Sequence, residues 1–213
     1  MNKVYDIPLR LERDIVFKRL HIEESLSNYD AFLKAYDALA EEIPRLAVPR
    51  GTYVMKTSAG RHAMHKGLCE VSHFVYAMVT LGGAISARCT AYFKEKDYLK
   101  GLLIDALADQ LLFNLSDDFY PTIRQDIFER RGYALTVRYQ PDDNIILMEN
   151  QKIILDECDG RRLLGVDITE GFMYNPVKTM GYVYGADKNM KIAEKDHDCA
   201  MCSNLACEFR QAV

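Results

Sequence analysis

The sequence predicts an α+β fold in which helix pairs pack on a twisted antiparallel or mixed sheet. Runs rich in β-forming residues alternate with longer segments of helical periodicity, and this order is the main observation. Strands separated by pairs of helices are typical of mixed architectures. The 213 residues, 49% of them hydrophobic, are enough to bury a sizeable core.

The first predicted element is a helix that begins near Tyr29. Apolar residues recur there at intervals of three and four up to Ile43, and Pro44 is expected to end the helix. The segment 51–56 is rich in β-formers, and the longer apolar run 71–81 is expected to be a central strand. Two consecutive glycines follow that run and should break it.

The second half of the chain is expected to alternate in the same way. Three helices are expected at about 84–94, 98–115 and 123–131, the first two packed together. The remaining elements are a strand at 132–139, a helix at 148–157 and a strand at 180–184. Asp105 and Asp109 lie four residues apart on the second of these helices, and we expect them on its solvated face.

Charge and hydropathy exclude several classes of function. The formal net charge is −4 and the pI is near 5.8, so the chain lacks the basic stripe that a nucleic-acid partner requires. The N-terminus has no apolar core of a signal peptide, and no stretch approaches the roughly 18 apolar residues of a membrane span. We therefore expect a cytoplasmic protein with reduced cysteines.

The last residues of the chain carry a dense group of potential metal ligands. His197, Cys199, Cys202 and Cys207 lie within eleven positions, and thiolates at this spacing can converge on one soft metal ion. Three thiolates with the imidazole would suit zinc, whereas three thiolates with a further ligand could hold an iron–sulfur cluster. Plain reduced cysteines are the third alternative. We divide the chain into a domain at 1–186 and a cysteine-rich tail at 187–213.

A second group of possible ligands has a simpler interpretation. His62, His65, Cys69 and His73 would align only on a helix, and Gly67 and the following strand argue against one. We expect separate loop and strand residues. No glycine-rich phosphate loop, nucleophile elbow or His-Glu-x-x-His sequence occurs. The sequence therefore does not indicate a nucleotide hydrolase, an esterase or a zinc protease.

Several ordered blocks resemble the activation domain of cobalamin-dependent methionine synthase and its short stand-alone relatives. The blocks are Val79-Thr-Leu-Gly82, Asp105-Ala-Leu-Ala-Asp109, Arg138-Tyr-Gln-Pro141 and Ile168-Thr-Glu-Gly-Phe-Met-Tyr-Asn-Pro-Val-Lys-Thr-Met-Gly181. They are similar to the family's Val-Thr-small-Gly, Lys-Ala-Leu-Ala-Asp, Arg-x-Ala-Pro-Gly-Tyr and Leu-Thr-Glu-Ser-x-x-Met-x-Pro-x-x-Ser-Val-Ser-Gly. The resemblance covers roughly residues 70 to 210, cysteine tail included, and leaves the first 50 unmatched.

This resemblance implies a fold like that activation domain and a role in reactivating a corrinoid. The family binds S-adenosylmethionine and faces a cobalamin, so an inactive cobalt(II) form can be reduced by an external donor and trapped by methylation. The implied cofactor-binding residues are Arg138, Gln140, Glu170, Tyr174 and Lys178. Arg138 is the best defined of these, because a guanidinium suits the ligand's carboxylate.

The sequence therefore leaves two functional hypotheses open. The first is a stand-alone reactivation protein that binds S-adenosylmethionine and works with a separate corrinoid protein or B12-dependent methyltransferase. The second is a non-catalytic metal- or Fe–S-binding accessory module that docks on a corrinoid protein. Asp142-Asp143 stand where the family has Gly-Tyr, which favours the second hypothesis, whereas the Thr169-Glu170 block favours the first. The sequence names no catalytic residue.

Overall fold

The computed structural model describes residues 3–141 and 146–197, and it confirms the predicted α+β architecture. Its strands are β1 (Val4–Asp6), β2 (Arg50–Thr57), β3 (His73–Thr80), β4 (Ala134–Leu135), β5 (Asp167–Ile168), β6 (Tyr174–Asn175) and β7 (Thr179–Asp187). A five-stranded antiparallel sheet has the order β1-β2-β3-β7-β4, and β5 pairs with β6 in a separate two-stranded sheet.

Helices cover both faces of the larger sheet. They are α1 (Arg13–Arg19), α2 (Tyr29–Leu46), α3 (Ala84–Lys94), α4 (Tyr98–Arg124), α5 (Asn150–Cys158) and α6 (Gly160–Leu164), with a 3₁₀ turn at Lys66–Leu68. None of the helices in the described ranges combines the length and apolar character needed to cross a lipid bilayer.

The central position of β3 divides the core into two parts. Alternate β3 residues, such as Val75 and Ala77, face a large cluster with side chains of α1 to α4. The residues between them, such as Phe74 and Tyr76, face a smaller cluster with side chains of α5 and β6. Both faces of β3 are therefore buried, which explains why its sequence is apolar without a strict polar alternation.

The first expected helix does not stop before Pro44. α2 continues to Leu46, because a proline removes only its own donor and the Ala47 amide still bonds the Ile43 carbonyl at 2.9 Å. The prediction that the helix stops before Pro44 was therefore wrong by about one turn. Ile43 is fully buried, so the packing of this end on the core maintains the helix past the proline.

The two helices expected at 98–115 and 123–131 are one element. α4 runs for 27 residues and continues directly into a π-helical segment at Gln125–Arg130. No glycine lies between residues 115 and 123, and Pro121 lies inside the helix without ending it. The positive φ of Gly132 follows the last turn, so the chain reverses there rather than near residue 115.

The strand expected at 132–139 is much shorter than its sequence pattern suggests. Only Ala134–Leu135 pair regularly with β7, and Tyr139 makes an isolated bridge to Val183. Leu135 lies opposite Ala186, so four steps along this segment match three steps along β7. One extra residue is therefore accommodated as a β-bulge, which interrupts the regular pairing.

Several elements at the N-terminus and after α5 were not expected. They are β1, α1, α6, β5 and β6, each at most seven residues long. Elements this short carry too few residues to establish a hydrophobic period. The expected elements at 51–56, 71–81, 84–94, 148–157 and 180–184 are confirmed as β2, β3, α3, α5 and β7.

Candidate functional site

Arg138 lies in the bulge between β4 and β7, at the edge of the five-stranded sheet. The bulge takes its backbone out of the ladder, and the Arg138 amide bonds the Asp196 carbonyl at 2.6 Å instead of a strand. A bulge also redirects the side chains of its residues. In this way the local backbone turns a strand arginine toward the helix layer.

The Arg138 guanidinium is buried between the sheet and α4. The residue is 4% exposed, although arginine is rarely buried unless paired. Nη1 donates to the Ser116 hydroxyl at 2.6 Å, and Nη2 donates to the Asp117 carboxylate at 3.2 Å. The guanidinium carbon lies 5.4 Å from the Tyr182 ring centroid, within the range of a cation–π contact.

A second carboxylate reaches Arg138 from residues 188–197, which we call the strap. The strap follows β7 and returns along the β4 edge, where the Ala193 amide bonds the Leu135 carbonyl at 2.9 Å. At its end, one Asp196 oxygen accepts from the Tyr184 hydroxyl at 2.6 Å. The other oxygen lies 3.3 Å from Arg138 Nη1, close enough for an ion pair.

We call this group of side chains the Arg138 centre; its members are Arg138, Ser116, Asp117, Tyr182, Tyr184 and Asp196. Burial alone would lower the pKa of Arg138, but the negative charges of Asp196 and Asp117 raise it above its ordinary value. Burial raises the pKa of Asp196, against the opposing effects of Arg138 and Tyr184. Arg138 therefore has two carboxylate neighbours, one from α4 and one from the strap.

Several polar atoms of this region are buried and have no hydrogen-bond partner among residues 3–141 and 146–197. They are Arg138 Nε, Tyr182 Oη, Asp196 Oδ2 and, close along the chain, Gln140 Oε1. Unpartnered buried polar atoms are costly, so a cluster of them indicates a place for water or a ligand. Donors and acceptors are both present, and the cluster therefore suits a group that carries opposite charges.

Lys178 forms a second buried cation, at the start of β7. It is 8% exposed, and its Nζ contacts Asp105 at 2.7 Å and Asp109 at 2.6 Å, both on α4. Asp109 also accepts from Arg19 at 3.1 Å. Asp105 is exposed as expected, whereas Asp109 is half-buried, and no sequence pattern indicated that both carboxylates bind one buried lysine. Their hydrogen bonds raise the pKa of Lys178 although burial lowers it.

The structure keeps Lys178 apart from Arg138. Their carboxylate partners Asp109 and Asp117 are eight residues apart on α4, which corresponds to about 12 Å along the helix axis. Gln140 lies two residues after Arg138 and is buried with it at the sheet edge. Of the five candidate cofactor-binding residues, Arg138 and Gln140 therefore form one location and Lys178 another.

Tyr174 and Glu170 occupy different surroundings again. Tyr174 is 4% exposed within the smaller core cluster, and its hydroxyl donates to the Gln151 carbonyl at 2.9 Å. A Cβ at Gly181 would collide with that hydroxyl, so the glycine makes room for the ring. Glu170 lies exposed in the turn between β5 and β6. Tyr174 thus bonds within the fold, and Glu170 is available at the surface.

The proposed metal ligands Cys199, Cys202 and Cys207 lie outside the described residues, and His197 is the last residue described. Within 3–141 and 146–197, no three side chains of the His, Cys, Asp and Glu type form a metal-binding group. His65 instead caps the 3₁₀ turn by accepting from the Gly67 amide, and its ring lies 4.6 Å from that of Tyr139.

A cleft of about 370 Å³ lies elsewhere, against α1 and α2. Phe17, His21 and Tyr29 are among its lining residues, and it contains none of the candidate site residues. It belongs to the part of the chain for which the sequence suggested no function.

Comparisons with known proteins identify a solved structure with a similar fold. The sequence matches no protein-family model and no curated protein. The structure is similar to a crystal structure of the MetH reactivation domain bound to AdoHcy, with a TM-score of 0.64 and 13% identity. The match covers 91% of this chain and 80% of that one. It confirms the expected likeness to the methionine synthase activation domain at the level of the fold.

The extent of this match adds to what the sequence blocks suggested. Because it covers 91% of the chain, it must include most of the first 50 residues, which had no counterpart in the sequence blocks. The N-terminal elements are therefore part of the same fold and not an unrelated addition.

Proposed function

We propose that this chain is a stand-alone reactivation protein for a corrinoid protein or a B12-dependent methyltransferase. In this proposal it binds S-adenosylmethionine at the Arg138 centre and supports reductive methylation of the partner's corrinoid. The observation that carries the proposal is a buried arginine with an unpartnered Nε, in a fold whose solved relative is bound to AdoHcy. It would act in the cytoplasm with an external electron donor.

The chemistry of the Arg138 centre fits the amino-acid end of such a ligand. A carboxylate can pair with the Arg138 guanidinium through two parallel hydrogen bonds, one of them from the unpartnered Nε. The Asp117 carboxylate, half-exposed on α4, is suited to the ligand's ammonium group.

The other candidate residues take different parts in this proposal. Gln140 would bind beside Arg138, because its Oε1 is buried without a partner. Tyr174 and Lys178 would support the site from within the fold, since their polar atoms are already bonded. Glu170 is exposed and would face the corrinoid partner.

The division of chemical roles follows from the reaction. When bound, S-adenosylmethionine supplies a methyl group on a sulfonium, which makes trapping of the reduced corrinoid favourable. One electron comes from the external donor. The protein's own residues bind and orient the methyl donor, so that its reactive end can be presented to a partner.

Calorimetric titration under anaerobic conditions tests the proposal. S-adenosylmethionine should bind the full chain saturably, and Arg138→Lys should weaken binding at least tenfold, about 1.4 kcal/mol, because lysine cannot form a paired fork. Arg162→Lys is the control, since Arg162 is exposed and should leave affinity unchanged. Thermal melts establish that each variant is folded. Absence of binding up to millimolar ligand would contradict the proposal.

A second candidate is a metal- or Fe–S-binding accessory module that docks on a corrinoid protein. This candidate is favoured because Arg138 already has two carboxylate partners within the chain, Asp117 and Asp196. Analysis of iron, zinc and sulfide in anaerobically purified protein tests it, with Cys199→Ser, Cys202→Ser and Cys207→Ser as variants. A bound metal that is lost in these variants, without S-adenosylmethionine binding, would support this candidate over the first.

A further inference from the structure

We propose that the strap is an autoinhibitory segment in which Asp196 occupies the position that a ligand carboxylate takes on Arg138. The inference rests on the proposed function, because it concerns regulation of the same site. Binding of the ligand and docking of residues 188–197 would then exclude each other.

The first support is the position of Asp196. Its backbone carbonyl accepts from the Arg138 amide at 2.6 Å, and its carboxylate lies 3.3 Å from Arg138 Nη1. The Asp196 side chain is only 14% exposed. The backbone of Asp196 thus contacts the Arg138 amide, and its side chain contacts the Arg138 guanidinium. These are the two groups of Arg138 that a ligand carboxylate could use.

The second support is the imperfect fit of this internal carboxylate. Asp196 Oδ2 is in ion-pair range of Arg138, but within the described part of the chain neither this oxygen nor Arg138 Nε has a hydrogen-bond partner. A free carboxylate is not limited by the course of the strap and can bond the guanidinium through two oxygens. Exchange of Asp196 for a ligand would therefore satisfy atoms that the docked strap leaves unpaired.

The third support is that the rest of the strap lies outside the sheet. The strap forms no strand with β4, and its lysines are exposed; they are Lys188, Lys191 and Lys195. Its backbone bonds to the sheet edge are those of Ala193 and Asp196, and Met190 packs against the smaller core cluster. Local opening can break contacts of this kind without unfolding the whole protein. Opening of the strap thus need not disturb the strand pairing of the sheet.

The consequence is a lowered apparent affinity for the ligand. When only the undocked fraction of molecules can bind, the apparent dissociation constant rises in inverse proportion to that fraction. A change that weakens docking should therefore strengthen binding without any new contact to the ligand.

The experiment compares S-adenosylhomocysteine binding to the full wild-type chain, Asp196→Asn and Glu194→Gln by calorimetry. Asp196→Asn retains the size of the side chain but removes its charge, and it should bind about tenfold more tightly. Glu194→Gln is the matched control. Glu194 is an exposed strap residue two positions before Asp196, and its ion pair within the strap is with Lys191. Saturating ligand should also speed tryptic cleavage at the three strap lysines of the wild type.

The outcomes separate this inference from the proposed function. Equal binding by wild type and Asp196→Asn would leave the function intact and overturn the autoinhibition. Weaker binding by Asp196→Asn would assign Asp196 to the ligand's own site, and would also overturn it. Absence of binding in every variant would overturn both. Slower tryptic cleavage with ligand would show closure over the ligand instead of release.

Discussion

Lys178 and Arg138 are both buried cations that contact two carboxylates, yet the partners of each are held very differently. Asp105 and Asp109 lie one helical turn apart on α4, so one rigid element presents both to Lys178. Arg138 has one carboxylate from the same helix, Asp117, and one from the strap, Asp196. The first arrangement is fixed by one helix, whereas half of the second depends on a segment that lies outside the sheet and its helices.

This difference suggests a general rule for interpreting buried charges in this molecule. A buried cation whose partners all lie on one helix stabilises the packing of that helix on the sheet. A buried cation with a partner on a loosely attached segment can exchange that partner for a ligand. Four variants and a pH series test the contrast, from the largest expected effect to the smallest.

Lys178→Met should cause the largest loss of stability. It leaves Asp105 and Asp109 without their cation, but both can regain water, so we expect a loss of about 2 kcal/mol in the free energy of unfolding. Urea denaturation measures it. Lys152→Met is the matched control, because Lys152 binds Asp156 on an exposed helix surface and should cost no more than about 0.5 kcal/mol. Equal losses would refute a structural role for Lys178.

Asp109→Asn should have a smaller effect than Lys178→Met and a larger one than Asp105→Asn. Asp109 is less exposed than Asp105 and also binds Arg19, so its loss affects two cations. We expect about 1 kcal/mol for Asp109→Asn and roughly half of this for Asp105→Asn, again by urea denaturation. The reverse order would show that the Arg19 contact contributes nothing.

Asp196→Asn should change global stability by less than about 1 kcal/mol, because Arg138 keeps Ser116 and Asp117 as partners. Its effect should be local instead. Without ligand, trypsin should cleave the variant faster than the wild type after Lys191 and Lys195, while the remaining cleavage pattern is unchanged. A loss of unfolding free energy as large as that of Lys178→Met would mean that Asp196, like Lys178, mainly stabilises the fold, and it would contradict the contrast between them.

The pH dependence of Lys178→Met should be the smallest effect of the series. Burial lowers the pKa of Lys178, but its hydrogen bonds to Asp105 and Asp109 outweigh this and raise the pKa above its ordinary value. The contribution of Lys178 to stability is therefore complete below pH 10.5 and is lost only as the pH rises through the folded value.

Urea denaturation at several pH values measures this effect. The free-energy difference between wild type and Lys178→Met should stay constant from about pH 6 to 9 and should decrease as the pH rises above 10.5. A difference that already decreases in the lower range would mean that the two carboxylates do not raise the pKa of Lys178.

Much of the fold followed from local sequence patterns. β3 and α3 were predicted nearly to the residue, because a continuous apolar run and a glycine pair define them. Errors arose at Pro44 and near residue 115, where buried side chains carry a helix past a local signal for its end. The residues 132–139 look like a regular strand, and their bulge exists only relative to β7.

The candidate site was predictable only in part. Sequence blocks selected Arg138 and Gln140, and the structure buries both at one sheet edge. They also selected Lys178, which binds within the fold and whose partner Asp109 lies about 12 Å along α4 from Asp117. Nothing in the sequence indicated Ser116, Asp117 or Asp196 as neighbours of Arg138, because these residues are 20 or more positions away from it.

The sequence by itself determined the α+β class, the central strand, most helices and the arginine on which the proposed function depends. Hydrophobic period and breaker residues act over a few neighbouring positions, and one chain is enough to read them. The tertiary structure decided which charges meet. It brought α4, a bulged strand and the strap around Arg138, because contacts between distant segments depend on the packing of whole elements and leave no periodic trace in the sequence.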